Sequence, residues 1–485
     1  MASSKLLKER IESIQDTRKI TNAMYLISSS KLRKARRNYQ NVLPYFTRMR
    51  DTISRVVPHL PEEPVHPYFH ERQREDGNPR RAYLVLTADK GMAGSFNQNV
   101  LKLLLEKADA NDRFYVIGQV GYRALRKDPR LVKEFQYGAT APSLQRARDI
   151  TVDAIDDLIV VLETDDGQRG FGEAPPTAVI TGDTIPSVAG GITQFIAPKL
   201  IGREVEKFDE LHDIIDKAMV HNTTAKAAVE MAVYDLLGKR WNVPLYKLLG
   251  GAKCELETDI TISVNDVDTM VRDAVTAAER GFRILKVKTG LDLATDIRAL
   301  TLIRNAVGPD VRIRIDANQG YSVETALKAL PEFEKLGIDA AEQFLPWWDF
   351  EGAAELKRKN TTSVKLMLDE SIHNIHDAHR AAKLDCADFY NIKLMKCGGL
   401  YYGAQIADIA EEAGVGCMVG CMQENKISIA AGVSLVAAKK AIVEADCDSF
   451  MYAVDPEMGM PGGFAVNGGV YTLSDKPGLG IDIDF

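Results

Sequence analysis

The sequence predicts an α/β protein whose principal part is a parallel β/α barrel, and three observations carry that prediction. Lys286, Lys288, Asp316, Glu342, Asp369 and Lys393 close short apolar runs, namely ILKVK, RIRID, DAAE, KLMLD and FYNIK. From Lys288 onward these positions are spaced by 28, 26, 27 and 24 residues, and each interval holds a helix-like stretch that returns the chain to the same end of a parallel sheet. In a barrel the C-terminal strand ends converge on one mouth, where catalytic side chains of this architecture sit. Solvated charges at strand ends would explain one or two of these positions, but spacing this even has no structural necessity.

Taken in order, residues 3–55 read as one long helix. Leu7, Ile11, Ile14 and then Ile20, Met24, Ile27 recur at helical spacing, with a basic face around Lys31 to Arg37. A stripe that long calls for a partner helix. Prolines at 58, 61, 64, 67 and 79 mark a linker over 57–80. A strand from Tyr83 to Thr87, a turn with Gly91 and Gly94, a helix from about Asn97, a strand from Phe114 to Gly118 and another helix make a small α/β layer. The glycines of ADKGMAGSFN are read as turn glycines, since neither Gly-Lys-Ser/Thr nor Gly-x-Gly-x-x-Gly is present. Beyond Pro142, Ser143 can cap a helix whose Ala147, Ile150, Ala154 and Leu158 share a face.

The character changes near residue 157. LIVVLET and RGFGEA flank Asp165-Asp166-Gly167, a strong hairpin signal. Amphipathic helices are expected at roughly 184–200, 206–220 and 223–240. The barrel begins near Glu255 with LETDITISV, continues through the charged strands, and closes with VGCMVGC and DCDSFMY, giving eight candidate strands. The tail, 451–485, is expected to run back over the hairpin, so that 157–254 caps the mouth of the 255–450 barrel.

Composition is that of an ordinary globular chain. Residues 1–156 carry 28 Lys and Arg against 18 Asp and Glu, and the remainder 33 against 50. The basic front part reads as a solvated helix face, because no recognition motif or interleaved aromatics accompany it; no nucleic-acid partner is expected. All six cysteines (Cys254, Cys386, Cys397, Cys417, Cys421, Cys447) fall in the rear part without zinc-type spacing, as reduced core thiols would. With no signal peptide or bilayer-length apolar run, a cytoplasmic, non-spanning protein is expected, and a homo-oligomer.

Side chains alternate along a strand, so Lys286 and Lys288 point the same way. Asp316, Glu342 and Asp369, on consecutive strands, form an oxygen-only set suited to a hard cation such as Mg²⁺, one per subunit. In an eight-stranded barrel the second and sixth strands stand opposite, so Lys288 and Lys393 would face each other across a bound substrate. One could remove a proton alpha to a carboxylate and the other return a proton to the opposite face.

KLLKERIESIQDTRKITNAMYLISSSKLRKA and LTADKGMAGSFNQNV resemble the gamma subunit, the central-stalk rotor, of rotary ATP synthases, over about residues 1–156. The resemblance implies a first helix that pairs with a C-terminal shaft helix, and ATP synthase subunits as partners. No such closing helix follows here: the last 35 residues are Gly- and Pro-rich.

Residues 158–485 resemble the muconate-lactonizing subgroup of the enolase superfamily, and within it the dipeptide epimerases of the L-Ala-D/L-Glu type. The resemblance rests on GEAPPTAVITGDT, AKAAVEMAVYDLLGK, ILKVKTG, RIRIDANQGYS, AEQFLPWWD, MLDES, NIKLMKCGG and GCMVGCMQENKI. It implies Lys288 and Lys393 as acid/base residues assisted by Lys286, Mg²⁺ on Asp316, Glu342 and Asp369, and a dipeptide ammonium on Asp446 and Asp448. A cycloisomerase would not need that acidic pair and stays the alternative within the superfamily. Glu424 and Thr261 are further substrate-binding candidates. Family members open with a strand and a closing loop upstream of LIVVLET; the rotor-like helix stands there in this chain, so the cap is expected to be truncated. The alternatives outside this chemistry are a rotor-type structural subunit, or an inactive fusion of two incomplete proteins.

Overall fold

The computed structural model describes residues 81–88, 95–110, 112–132, 158–290, 292–452 and 460–483. The long helix over 3–55, the linker, the Gly91 and Gly94 turn and the greater part of the helix after Ser143 fall outside these residues. The chain divides into two compact units, residues 1–82 with 108–113, and residues 83–107 with 114–485. In the first, the Asp112 carboxylate accepts the Arg81 N–H at 2.9 Å and the Asp109 N–H at 2.7 Å. The small α/β layer consists of β1 (Ala82–Leu86), α1 (Phe96–Lys107), β2 (Arg113–Ile117) and α2 (Gln119–Leu125), with β1 and β2 in a two-stranded sheet.

The cap follows. Strands β3 (Leu158–Glu163) and β4 (Arg169–Ala174) form the hairpin that Asp-Asp-Gly predicts, in register from Leu158 opposite Ala174 to Glu163 opposite Arg169. Among the described residues this sheet has two strands. The expected helix over 184–200 is broken into α3 (Ile185–Gly190), a π-helical turn (Gly191–Ile196) and α4 (Ala197–Leu200). Gly190, Gly191 and Pro198 explain the change, since two residues without side chains and one without an N–H weaken a regular ladder. Helix α5 (Phe208–Asp216) is shorter than its periodicity suggests, and His221 and Asn222 take positive φ before α6 (Thr223–Arg240). Alanine-rich α6 is buried nearly all round and lies directly on β4. A Cβ at Gly172 would meet the Ala228 carbonyl oxygen at 1.8 Å, and one at Gly170 the Ala232 oxygen at 2.3 Å. The alternate glycines of RGFGEA are therefore what lets the helix approach.

After α7 (Leu245–Leu248), LETDITISV divides into two strands where one was expected. Strand β5 (Glu255–Glu257) pairs with the tail, and β6 (Ile260–Ile262) opens the barrel. Thr258 and Asp259, fully buried, make the break: the Thr258 N–H donates to Gly469 O at 2.8 Å and the Asp259 N–H to Ala445 O at 3.2 Å. The barrel then alternates α8 (Val267–Glu279), β7 (Ile284–Lys288), α9 (Leu293–Val307), β8 (Arg312–Asp316), α10 (Val323–Lys335), β9 (Ile338–Glu342), α11 (Phe350–Lys359), β10 (Lys365–Leu368), α12 (Ile375–Leu384), β11 (Phe389–Ile392), α13 (Leu394–Cys397), α14 (Leu400–Glu412), β12 (Gly416–Gly420), α15 (Lys426–Ala438) and β13 (Ile442–Asp446). Asp266, Asp292, Ser322, Asp349 and Asn374 cap α8 to α12 with side-chain oxygens, so each return helix starts at a defined residue.

The eight parallel strands run in the order β6 to β13. Hydrogen bonds from the Asp259 N–H to Ala445 O and from the Cys447 N–H to Thr258 Oγ1, at 3.2 and 2.9 Å, join the first strand to the last. The tail hairpin, β14 (Phe464–Asn467) and β15 (Val470–Leu473), pairs with β5 and not with the β3–β4 hairpin. It reaches the cap further on, where buried Asp235 of α6 accepts the Leu479 N–H at 2.7 Å and the Phe171 N–H of β4 at 2.9 Å. One carboxylate thus ties hairpin, helix and tail together.

Candidate active site

Strand register gathers the charged ladder. Lys288 is laterally opposite Asp316 and Asp316 opposite Glu342, while Thr261 is opposite Lys286, on the face they share with Lys288. Asp369 and Lys393 come one residue beyond β10 and β11. All six predicted residues meet at the mouth in two ion-pair groups, Lys286 and Lys288 with Asp316 and Glu342, and Lys393 with Asp369, which Asn391 bridges; the carboxylates of Asp316, Glu342 and Asp369 are fully buried.

The lysines hold these carboxylates. Lys286 Nζ donates to Asp446 Oδ2 at 2.7 Å and lies 2.9 Å from Glu342 Oε2 and 3.2 Å from Asp316 Oδ2. Lys288 Nζ, the most accessible of the set, donates to Asp316 Oδ2 at 2.6 Å and Asn318 Oδ1 at 3.0 Å. Lys393 Nζ donates to Asp369 Oδ2 at 2.8 Å. Burial opposes ionisation of Asp316, but Lys288 and Lys286 outweigh it and hold the acid down at about 2. Lys393 and Lys396 likewise overcome burial and hold Asp369 well below the usual range. Glu342 goes the other way: burial, reinforced by Asp316, raises it to about 7 against the pull of Lys286. Burial alone would lower Lys393 and Lys286, yet Asp369 raises the first, and Asp446 with Glu342 and Asp316 raises the second.

The donor set fits a hard dication. It is oxygen-only, buried and drawn from three consecutive strands, and Glu342 Oε2, 2.9 Å from Lys286 Nζ, accepts no well-aligned hydrogen bond. Among the described residues the tightest cluster of metal-type ligands is a different one, Cys421, Asp446 and Asp448, whose ligand atoms lie within 4.8 Å of one another. Burial and the two aspartates raise the Cys421 thiol well above its usual range. It therefore stays protonated and points its Sγ–H at Asp448 Oδ1, 3.7 Å away. That acidic pocket suits a cationic group better than a hard metal. Asp448 also accepts the Thr261 N–H at 2.6 Å and the Tyr452 hydroxyl at 3.3 Å, and burial next to Asp446 raises it to about 6.

Glu424 is buried behind this pocket, accepting the Ser428 hydroxyl at 2.7 Å and the Met422 N–H at 3.1 Å. Burial lifts it to about 7, against the Ser428 hydrogen bond, with Glu173 adding to the rise. Glu173, from the GEA of β4, accepts the Asn425 and Ser428 N–H groups at 2.5 and 3.0 Å, so the cap hairpin grips the start of α15.

Lys396 and Asn391 were missed by the sequence reading. Buried Lys396 Nζ donates to Asp369 Oδ1 at 2.6 Å, to Asn391 O at 3.0 Å and to the Asp369 carbonyl. Asn391 Nδ2 donates to Glu342 Oε1 at 2.8 Å. The available signals were a second lysine inside the apolar NIKLMKC run, and the i−2 position of Asn391 relative to Lys393, which puts both on one strand face.

A nearly closed β/α barrel with carboxylates on the ends of three consecutive strands, flanked by lysines, beside an α+β cap, is the arrangement of the enolase superfamily. Residues 269–485 match the family described as Enolase C-terminal domain-like, and residues 141–250 the Mandelate racemase / muconate lactonizing enzyme N-terminal domain. Residues 3–168 match the family described as ATP synthase. An L-Ala-D/L-Glu epimerase of Clostridium acetobutylicum is 41% identical over 334 residues, 68% of this chain and 92% of that protein. A hydrophobic dipeptide epimerase of Enterococcus faecalis is 38% identical over 300 residues, 62% of this chain and 84% of the relative. Among solved structures, a substrate-liganded L-Ala-D/L-Glu epimerase of Bacillus subtilis superposes with a TM-score of 0.66 at 38% identity, covering 67% of this chain and 91% of that one. The Enterococcus faecalis dipeptide epimerase complexed with Mg and L-Leu-L-Tyr gives 0.64 at 36%, with 67% and 91% covered. The chain therefore belongs, through its C-terminal two-thirds, to the mandelate racemase/muconate lactonizing enzyme family of the enolase superfamily, alongside the dipeptide epimerases.

Proposed function

We propose that the barrel epimerises a dipeptide by moving a proton at the carbon alpha to its terminal carboxylate. The observation that carries this is the placement of Lys288, ending β7, and Lys393, just past β11, four strands apart in an eight-stranded barrel sheet with the three carboxylates between them. One lysine, neutral, takes the alpha proton while the C–H electron pair passes into the adjacent carboxylate. The opposite ammonium then delivers a proton to the other face, and the configuration is inverted. The carboxylates must be drawn away from these ammonium groups before either lysine can act as a base, because Asp369 holds Lys393 protonated. Asp316, Glu342 and Asp369 would hold Mg²⁺, which would supply positive charge beside the substrate carboxylate. Asp446 and Asp448 would receive the dipeptide ammonium, with Thr261 and Glu424 shaping that end. Lys286 stays an acid that bridges Asp446 to the carboxylates. The Clostridium relative supports an Ala-Glu type of dipeptide as the first substrate to try.

The test is incubation of the full chain with Mg²⁺ and L-Ala-L-Glu or L-Ala-L-Tyr in D₂O. Deuterium should enter the alpha carbon of the C-terminal residue as the epimer accumulates. Lys288→Ala and Lys393→Ala should each stop epimerisation, with one of them retaining exchange from a single enantiomer. Normal turnover in both variants would remove the two-base reading.

The match of residues 3–168 to the ATP synthase family supports a second reading for the front segment, assembly with ATP synthase subunits. Co-purification with those subunits, or its failure, decides it.

A further inference from the structure

Two tryptophans stand uncovered at the rim of the barrel mouth: Trp347 is 54% and Trp348 59% exposed. Both belong to the loop after β9, directly beyond Glu342. That loop is laced to its neighbours. The Gln319 N–H donates to Gln343 O at 2.8 Å, the Tyr321 N–H to Phe344 O at 2.9 Å, and the Trp347 N–H to Gln319 Oε1 at 2.9 Å. Gln343 Oε1 accepts the Asp369 N–H at 2.8 Å, and Gln343 Nε2 donates to Ser371 Oγ at 2.9 Å. The loops after β8, β9 and β10 therefore form one pre-ordered wall, and the Trp347 ring lies 6.4 Å from the His373 ring on that wall. Gln319 directly follows Asn318, the partner of Lys288, so the wall is continuous with the proposed acid/base machinery.

The direction of a bound dipeptide follows from the charges. Its ammonium belongs at Asp446, which ends β13, and Asp448 just beyond, and its carboxylate at β8 to β10, across the barrel. The C-terminal residue then lies below the loops that carry Trp347 and Trp348. An indole face attracts aromatic and apolar groups and repels a carboxylate. A cationic side chain would be repelled by the lysines beneath.

We propose that Trp347, with Trp348 beside it, forms the subsite for the side chain of the dipeptide's C-terminal residue, and that this subsite selects large apolar or aromatic side chains. The proposal rests on the epimerase reading. Its test compares kcat/KM of the Mg²⁺-loaded full chain for L-Ala-L-Tyr, L-Ala-L-Glu and L-Ala-L-Lys, in the native sequence, Trp347→Ala and Trp347→Phe. The tyrosine dipeptide should exceed the other two by about tenfold or more. Trp347→Ala should remove most of that preference, and Trp347→Phe should keep it. Preference for the Glu or Lys dipeptide overturns the proposal, as does an equal loss on all three substrates. A Trp347→Ala variant with altered oligomeric mass and unchanged selectivity overturns it in favour of an interface between copies. Absence of alpha-deuterium exchange with every dipeptide instead sinks the epimerase reading itself, and is thereby distinguishable.

Discussion

Replacing Lys396 by Met separates the scaffold of the site from its chemistry. Lys396 is as buried as any side chain at the mouth, and its ammonium serves Asp369 Oδ1, the Asp369 carbonyl and the Asn391 carbonyl at once. Methionine fills the volume but donates nothing. Each orphaned carbonyl costs about 1–3 kcal/mol, and breaking one partner out of a buried ion pair costs about 3–5 kcal/mol. The losses share one cation and do not add, so about 3–5 kcal/mol is expected. In urea unfolding of the full chain followed by far-UV circular dichroism, that amounts to a midpoint lower by about 1–2 M. Lys393→Met is the control. It removes a single bond, to Asp369 Oδ2, and leaves Lys396 in place, so its midpoint should fall by less than half as much while epimerisation is abolished. An unchanged midpoint in Lys396→Met, or a larger fall in Lys393→Met, would refute this division of labour.

Further outcomes are expected. Glu424 is raised to about 7 by burial, above the 4.5 of the free acid. The folded state therefore binds the proton more tightly than the unfolded chain, and this group's contribution falls as pH rises from about 4.5 to 7, remaining unfavourable above that. Glu424→Gln should raise the unfolding free energy obtained from urea titration relative to the native sequence at pH 8, by up to about 3 kcal/mol, and match it near pH 4.5; no pH dependence of the difference contradicts the assignment. Chelation followed by dialysis should abolish alpha-deuterium exchange and added Mg²⁺ should restore it; retained exchange in a chelated, metal-free sample excludes a metal role. Asp235→Ala orphans the Phe171 and Leu479 N–H groups and takes from Lys239 its carboxylate partner, leaving it the Arg169 carbonyl. It should cost about 3 kcal/mol and expose the tail beyond β15 to limited proteolysis, read by mass spectrometry; an uncut tail would show that other contacts hold it.

What the sequence determined by itself was whatever depends on local period. The spacing of Lys288, Asp316, Glu342, Asp369 and Lys393 reports strand ends, because each β/α unit of a barrel has nearly constant length, and alternation puts Lys286 and Lys288 on one face. Turn chemistry placed the β3–β4 hairpin at Asp165-Asp166-Gly167 for the same reason. Tertiary structure alone decided the rest. LETDITISV looks continuous as a pattern, yet buried Thr258 and Asp259 divide it between two sheets through bonds to Gly469 and Ala445, far along the chain. The approach of α6 to Gly170 and Gly172, the three-way tie at Asp235 and the grip of Lys396 on Asp369 all depend on partners remote in the chain. So does the rim that carries Trp347. Local period records which face a residue takes; which distant groups meet on that face is set by packing and by the need to partner every buried charge.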